Sequence, residues 1–233
     1  LPIYYRLGKP LSNVDMNCFY CGRSIIGRYY YDWAGHAVCE KHFANIVICA
    51  SCGQYCDSHA RDIGMGMKVC SHCQKYRIEQ TDCDKIINFI KRIYAQTEIG
   101  LITNWHLIMV SAEKMYQLTH DKNTRGLAQA VGSNYTIFVY RELSRVAFAQ
   151  VLAHEMLHIY QYNRNFYPKK QLCEGFCNLG SYVVLKAIHA KEADAAIENM
   201  KKCTDPIYGD GFRHLLAIYK KGGWHDAIQE IGK

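Results

Sequence analysis

The segments CFYC (residues 18–21) and CASC (residues 49–52) decide the fold of the first third of this chain. Each is followed, after 17 intervening residues, by a second pair of metal-binding side chains: CEKH at 39–42 and CSHC at 70–73. All four positions recur after 31 residues, which indicates a duplicated unit. A Cys-x-x-Cys turn presents two sulfurs on one side, and a second pair beyond a short hairpin completes a tetrahedral site for zinc.

The duplication predicts two structural zinc ions. The ligands of the first are Cys18, Cys21, Cys39 and His42, and those of the second are Cys49, Cys52, Cys70 and Cys73. Four protein ligands close each site to substrate, so neither ion is expected to take part in chemistry. His36 is an alternative to His42, but its counterpart in the second unit is Met67, which cannot replace a histidine ligand. Cys56 and His72 fall outside the repeat and are unassigned, and a disulfide-bonded module is the alternative for the whole region.

The composition excludes several classes of protein. Of the 233 residues, 49% are hydrophobic and 21% are charged, as in ordinary folded domains. No run of about 18 apolar residues is present, and the first residues show no apolar segment typical of a signal peptide, so we expect a cytoplasmic protein without a membrane partner. The net charge of +7 is spread along the chain without a run of five basic residues, which favours a solvated surface over a nucleic-acid partner.

A second motif lies in the segment SRVAFAQVLAHEMLH (residues 144–158), which has helical periodicity and contains no Gly or Pro. On a helix His154 and His158 lie one turn apart on the same face, so both imidazoles can reach one metal ion. Glu155 is rotated by about 100° and can reach a water molecule without binding the ion. This is the H-E-x-x-H arrangement of zinc peptidases, in which the glutamate is the general base. The alternative is a pair of helix-surface histidines beside a solvated glutamate.

The third ligand of such an ion must come from elsewhere. The metzincin pattern fails, because Gln161 and Arg164 occupy its glycine and histidine positions. A second helical stretch carries Glu174, which would complete two His and one Glu and leave a fourth position open for catalysis. Asn178, one turn further along, is expected to orient His154 or His158 as a hydrogen-bond partner.

Three side chains are candidates for stabilising the oxyanion of a peptide-bond cleavage: Tyr208, Tyr167 and His214. Residues 126–132 and 135–140 are predicted to be two strands around a Gly-Ser-Asn turn, and an edge strand there would bind an extended peptide by backbone pairing. Cys173 and Cys177 are one helical turn apart, where a disulfide is geometrically unfavourable, and are interpreted as small buried packing residues.

These patterns predict an α+β protein with a boundary near residue 80. Residues 1–80 form a tandem zinc-ribbon module, and residues 81–233 form a mainly helical metallopeptidase domain with a small sheet. A strand at 105–110 is expected to join the pair at 126–140. Helices are predicted near residues 83–97, 143–162, 170–190, 192–203, 209–220 and 223–231.

The zinc-ribbon module resembles a LIM domain, a class of module that serves in protein contacts, so a protein partner is expected there. It departs from the usual LIM pattern in two ways. The first site ends in Cys39 followed by His42, where LIM domains usually have His before Cys, and the spacer between His42 and Cys49 is longer than usual.

The chain as a whole resembles the LIM-containing, ubiquitin-activated latent peptidases that limit organ growth in plants. The resemblance is carried by AHEMLH (153–158), EGFC (174–177), DPIYGDGFR (205–213) and TRGL (124–127). It implies a gluzincin-type endopeptidase with Glu174 as third zinc ligand, and it favours Tyr208 for the oxyanion role. No ubiquitin-interacting helix is found in these residues, so ubiquitin is not inferred as a partner.

The resulting hypothesis is a hydrolase that cleaves peptide bonds of protein or peptide substrates, with one catalytic and two structural zinc ions. A zinc-activated water is expected to attack the peptide bond, with Glu155 as general base. The alternative is a LIM-like protein-interaction module joined to a latent or inactive peptidase domain. A nucleic-acid binder that uses its zinc ribbons is the third and weakest hypothesis, because it rests on net charge alone.

Overall fold

The structure is a computed structural model that describes residues 16–233 in full and the backbone of residues 6–8. The described chain is about half helical and contains small sheets, which confirms the predicted α+β class. Within residues 16–233, none of the helices combines the length and apolar character needed to span a bilayer.

The strands are β1 (Arg6–Gly8), β2 (Tyr29–Tyr31), β3 (Ala37–Cys39), β4 (Arg61–Asp62), β5 (Lys68–Val69), β6 (Trp105–Val110), β7 (Gly126–Val131) and β8 (Asn134–Tyr140). The α-helices are α1 (Glu40–Phe43), α2 (Ser71–Lys75), α3 (Gln80–Ala95), α4 (Ala112–Thr119), α5 (Arg145–Asn163), α6 (Lys170–Lys186), α7 (Lys191–Lys202) and α8 (Gly211–Ile231). A π-helical turn covers Pro206–Asp210.

The sequence repeat is also a structural repeat. In each unit a Cys-x-x-Cys turn is followed by an antiparallel hairpin, β2–β3 in the first unit and β4–β5 in the second. The second ligand pair of each unit starts where the hairpin ends and a short helix begins, at Cys39 for α1 and at Cys70 for α2. The hairpin therefore brings the two ligand pairs of each unit together, as the spacing predicted.

The larger sheet has the order β6–β8–β7. β7 and β8 pair antiparallel, whereas β6 runs parallel to β8 and needs a crossover, which α4 and the following loop provide. The predicted pairing of all three strands is confirmed. Among the described residues β7 pairs with no strand other than β8, and its other edge lies against α5.

Helix α5 lies at the centre of the protein. Phe148, Leu152 and Met156 are fully buried, and so are residues on its other faces, since α5 packs against α6, α3 and the larger sheet. A helix that is apolar on all faces is typical of such a central position. Helix α6 is also enclosed, between α5 and α8.

Several helix limits differ from the sequence-based expectation. Helix α3 begins at Gln80 instead of residue 83, because the Asp82 carboxylate accepts the Glu79 N–H at 3.3 Å and caps the first turn. The predicted break between helices at 209–220 and 223–231 is present, because the backbone inside α8 is non-helical at Gly223, with a φ of +69°, but the first of these two helical parts begins at Gly211, after the π-helical turn. Helix α6 ends at Lys186 rather than at 190, and α4 was not predicted.

The cysteine-rich part and the rest of the chain are in direct contact. Ser51, between two cysteines of the second unit, accepts a hydrogen bond from the Ser144 N–H at 2.6 Å through its hydroxyl. Its carbonyl oxygen accepts a second one from Arg125 at 3.1 Å. Arg61 forms an ion pair with Glu142. The domain boundary near residue 80 stays a prediction, and polar contacts bridge the two sides of it.

Candidate metal centres and catalytic cleft

The first four-residue cluster contains Cys18, Cys21, Cys39 and His42, whose ligand atoms all lie within 4.8 Å of one another. The His42 Nδ1 is 3.4 Å from the Cys18 sulfur and 3.2 Å from the Cys39 sulfur. Burial raises the pKa of Cys18, but backbone N–H groups directed at the sulfur outweigh it and bring the pKa to about 6. His36, the alternative ligand, instead places its Nδ1 2.8 Å from the Asp32 carboxylate.

The second cluster contains Cys49, Cys52, Cys70 and Cys73, again within 4.8 Å of one another. Cys49, Cys70 and Cys73 are at most 1% exposed. Hydrogen bonds from neighbouring thiols lower the pKa of Cys49, and one of these thiols is Cys56, which the spacing left unassigned. Sulfur and imidazole nitrogen are the donors that zinc prefers in closed tetrahedral sites. Both clusters are therefore able to hold a zinc ion.

The H-E-x-x-H histidines meet Glu174 across the contact between α5 and α6. The Nε2 of His154 lies 3.1 Å, and the Nε2 of His158 lies 3.7 Å, from the same oxygen, Oε2 of Glu174. Close packing behind Glu174 makes this possible. A Cβ on Gly175 would lie 2.4 Å from the Gly211 carbonyl carbon, so only glycine allows α6 to approach α8 so closely.

The outer nitrogens of both histidines have hydrogen-bond partners. The Nδ1 of His154 is 3.0 Å from the Asn178 amide oxygen, and the Asn178 amide in turn donates to the Tyr208 carbonyl oxygen at 3.1 Å. The Nδ1 of His158 is 3.3 Å from the Gln161 amide oxygen. Asn178 was expected in this role, whereas Gln161 was missed. Its spacing of three residues from His158 on one helix face was the available signal.

Two cysteine thiols approach the same edge of His158. The Cys177 sulfur is 3.3 Å and the Cys173 sulfur 3.7 Å from its Nδ1. Ligand atoms of His154, His158 and Cys177 lie within 4.8 Å of one another, so this set is also able to hold an ion. Cys177 is fully buried, as expected of a packing residue, but the interpretation of both cysteines as packing residues alone omitted these contacts.

Hydrogen bonding and nearby carboxylates favour a positive charge at His158, although its burial opposes one. Burial lowers its pKa, but the Cys173 hydrogen bond and the carboxylates of Glu155 and Glu174 outweigh this effect and raise the pKa to about 9. Burial also acts on Glu174, where it raises the pKa, but the His154 hydrogen bond and the two imidazoles more than offset it, so the net pKa is lowered. Such a pocket suits a cation.

Glu155 lies about 100° around α5 from His154 and faces the start of β7. It is 7% exposed, and the backbone N–H of Ala128 donates to its carboxylate. A Cβ on Gly126 would lie 2.6 Å from the Glu155 Oε1, so glycine is needed for this close approach. Burial raises the pKa of Glu155, although the two nearby histidines oppose the shift. A raised pKa is a property of general bases.

A cleft of about 250 Å³ opens beside these residues. Tyr208 lines it and is 37% exposed, and burial raises the pKa of its hydroxyl to about 12, so the hydroxyl stays a hydrogen-bond donor. The other two oxyanion candidates lie outside this lining. Tyr167 is 77% exposed, and His214 is 3.0 Å from the Glu230 carboxylate.

Arg125 also lines the cleft, and the sequence interpretation missed it. Arg125 belongs to the TRGL segment but was given no role, because a single arginine before a strand is not part of any spacing pattern that predicts a site. The same holds for Ser51, which lies between two cysteines of the second cluster and contacts both Arg125 and Ser144.

Comparisons with protein-family models, with curated proteins and with solved structures found no match for this chain. The metal centres and the cleft are therefore described from the residues of this chain alone.

Proposed function

We propose that this chain is a zinc-dependent endopeptidase of the gluzincin type. The observation that carries the proposal is the convergence of two Nε2 atoms, from His154 and His158, on one carboxylate oxygen of Glu174, with buried Glu155 beside them. Two histidines and one glutamate are a known ligand set of catalytic zinc, and they leave a position open for substrate.

The ligand set with Glu174 fits a catalytic ion better than the set with Cys177. The Nδ1 of His154 is engaged by Asn178, and the Nδ1 of His158 faces Gln161 and the thiols. Hydrogen bonds at Nδ1 orient an imidazole that binds metal through Nε2, and this Nε2 edge faces Glu174. When bound there, a zinc ion would supply Lewis-acid activation of the scissile carbonyl and of water.

The protein's own groups would handle the protons and the charge. Glu155 takes a proton from the attacking water and later delivers it to the leaving amine, a role that its raised pKa favours. Tyr208 donates a hydrogen bond to the oxygen that becomes negative during cleavage, because its hydroxyl stays protonated at neutral pH.

The edge of β7 that faces away from β8 is the proposed binding site for an extended peptide. The Ala128 N–H and C=O point away from β8, because they meet the Glu155 carboxylate and the Tyr162 hydroxyl. Strand alternation places the backbone groups of Gly126 and Ala130 on the same edge, where a substrate strand would pair with them. This pairing would hold the substrate backbone beside Glu155.

The resemblance to the LIM-containing latent peptidases of plants belongs to this proposal. In it residues 1–80 form a LIM-like module with two structural zinc ions and a surface for a protein partner, and residues 81–233 form the peptidase domain. The two closed clusters support structural ions, since neither leaves a position open for substrate.

The test compares zinc-loaded protein with its Glu155→Gln variant against a proteome-derived peptide library, with products read by mass spectrometry. We expect products from the unaltered protein and a loss of at least about 1000-fold in the variant, because the general base and its negative charge are both removed. Glu98→Gln, at an exposed position away from the cleft, is the matched control and should cleave normally. Identical products from the Glu155 variant would contradict the proposal.

The ligand assignment has its own test. Glu174→Ala should lower the zinc content from three ions per chain to two and abolish cleavage, while Cys177→Ala should keep three ions. Elemental analysis of the purified proteins measures the number directly. Three ions and full activity in the Glu174 variant would show that another side chain binds the catalytic ion.

A further inference from the structure

Arg125 lies where three cavities adjoin. It immediately precedes β7 and lines the catalytic cleft, a small cavity of about 50 Å³ beside Ser51, and a larger groove of about 660 Å³. Its side chain is half-buried, and one of its N–H groups donates to the Ser51 carbonyl oxygen at 3.1 Å. A guanidinium has five N–H donors, so most of its binding capacity is not used by this contact.

Within residues 16–233, Arg125 forms no ion pair with a carboxylate. Three carboxylates line the cleft with it, those of Asp121, Glu155 and Asp205, but each accepts hydrogen bonds from other groups. Glu155 accepts the Ala128 N–H. Asp121 accepts hydrogen bonds from the Asn123 N–H at 2.9 Å and the Thr124 hydroxyl at 3.0 Å. Asp205 accepts the N–H groups of the following π-helical turn. A partly buried guanidinium without a carboxylate is a strong site for an incoming one.

The position of Arg125 relates this site to the reaction. The next residue, Gly126, lies directly against Glu155, and consecutive Cα atoms are about 3.8 Å apart. A peptide strand advances by about 3.3 Å per residue, so a carboxylate held by Arg125 belongs to a residue within about three positions of the bond that Glu155 attacks.

We propose that Arg125 is a specificity residue that binds a carboxylate of the peptide substrate. The enzyme then selects peptides that carry an acidic side chain, or a free C-terminal carboxylate, close to the scissile bond. This inference rests on the proposed peptidase function. Planar, two-pronged pairing with a carboxylate is the geometry that distinguishes arginine from lysine.

A purely structural role for Arg125 makes a different prediction. Its strongest charge interactions are with the thiols of Cys49 and Cys52, so it also neutralises part of the negative charge of the second cluster. If that were its whole contribution, replacing it would weaken folding or zinc binding and leave the preference between acidic and neutral peptides unchanged.

The experiment uses decapeptides of alternating Leu and Ala in which a single Glu is moved through the sequence, and an identical series with Gln. Each peptide is made as a free acid and as a C-terminal amide. Cleavage is measured as kcat/KM with the zinc-loaded enzyme, and binding of fluorescein-labelled peptides is measured with its Glu155→Gln variant. The same measurements follow for Arg125→Gln, Arg125→Lys and the exposed control Arg141→Gln.

We expect Glu to be preferred over Gln by about 10-fold or more at one position, in cleavage and in binding. Arg125→Gln should bring this ratio to about one with all three zinc ions retained, Arg125→Lys should give an intermediate ratio, and the control should keep the full preference. A preference for the free acid over the amide, lost in the same variant, would identify the C-terminal carboxylate as the group bound.

Equal cleavage and binding of Glu and Gln peptides, or a preference that survives in Arg125→Gln, would overturn the assignment. The first of these results is measured on the unaltered protein alone, so misfolding of a variant cannot hide it. Failure of the peptidase proposal looks different: the unaltered protein would then cleave no peptide, or Glu155→Gln would cleave as well as the unaltered protein. The binding ratio still reports on Arg125 in either case.

Discussion

The two four-ligand clusters come from one duplicated unit, yet they differ in their relation to the cleft. The first contains the exposed Cys21, and its unit contacts the second unit, where Trp33 donates to the Cys52 carbonyl oxygen at 2.8 Å. The second is almost wholly buried and touches the start of α5 and Arg125 through Ser51. Matching positions in the repeat therefore do not imply equal roles.

The difference arises from the residues between the ligands. The first Cys-x-x-Cys turn holds Phe19 and Tyr20, whereas the second holds Ala50 and Ser51. A small hydroxyl can accept the buried Ser144 N–H at the beginning of α5, where backbone N–H groups lack partners within the helix. The second turn thus supports the helix that carries His154 and His158.

The largest expected effect comes from breaking each cluster at the same repeat position. Cys18 and Cys49 are 2% and 0% exposed, so their burial is matched. We expect Cys49→Ser to lose one zinc ion and about 100-fold in kcat/KM, because the support of α5 and Arg125 is lost. Cys18→Ser should also lose one ion but less than about 3-fold in activity, since it is remote from the cleft.

Zinc content, kcat/KM and hydrogen exchange of the first turn of α5 measure this pair of variants. Hydrogen exchange makes the comparison independent of catalysis, and only Cys49→Ser should speed exchange there. Equal effects of the two variants would mean that the module acts as one unit and that the contrast between the clusters is wrong.

A smaller effect is expected from Ser51→Ala, which keeps the second zinc site and removes only the hydroxyl. The Ser144 N–H then stays buried without an acceptor, at a cost of about 1–3 kcal/mol in the free energy of unfolding. Ser58→Ala is the control, because Ser58 is exposed in the same unit and should change stability by less than about 0.5 kcal/mol. The measurement is denaturant unfolding of both variants, followed by the circular dichroism of the α-helices. Equal unfolding midpoints for Ser51→Ala and Ser58→Ala would show that the Ser51 hydroxyl does not stabilise α5.

The smallest effect concerns the junction between the two units, where Asp32 accepts hydrogen bonds from both His36 and the Tyr55 N–H. The Asp32 hydrogen bond raises the pKa of His36 above its usual 6.5. The contribution of the His36–Asp32 pair to folding stability is therefore complete below pH 6.5. It is lost as the pH rises through the raised pKa of His36 in the folded protein. It amounts to less than about 1 kcal/mol, because His36 is one-third exposed.

This pH dependence is measured as the difference in melting temperature between the unaltered protein and His36→Gln. The difference should be larger at pH 6 than at pH 9, and subtraction of the variant removes the shared pH dependence of zinc binding. Peptidase activity should be unaffected, since His36 belongs to the unit remote from the cleft. A difference that grows with pH would have the wrong sign for this ion pair.

Particular residues show how far sequence patterns reach. The spacing of His154 and His158 predicted one helix face, and the Gly-Ser-Asn turn between residues 126–132 and 135–140 predicted a pair of strands, because both depend on the conformation of a few neighbouring residues. Helix α4 was missed because it has only eight residues, and many of them are polar. Gln161 and Cys177 were missed as neighbours of His158 because polar contacts around a site depend on how α5 and α6 pack.

The sequence by itself determined the composition of the two cysteine clusters, the α+β class and the identity of the H-E-x-x-H residues, since turns and helices set distances over a few residues. Only the tertiary structure decided that Glu174 contacts both His154 and His158, which lie 20 and 16 residues before it in the sequence. It also decided that Ser51 contacts Ser144, which is 93 residues away in the sequence. Such contacts depend on packing between elements, which no local spacing encodes. The same packing placed Arg125 at the cleft and made the second cluster, not the first, its neighbour.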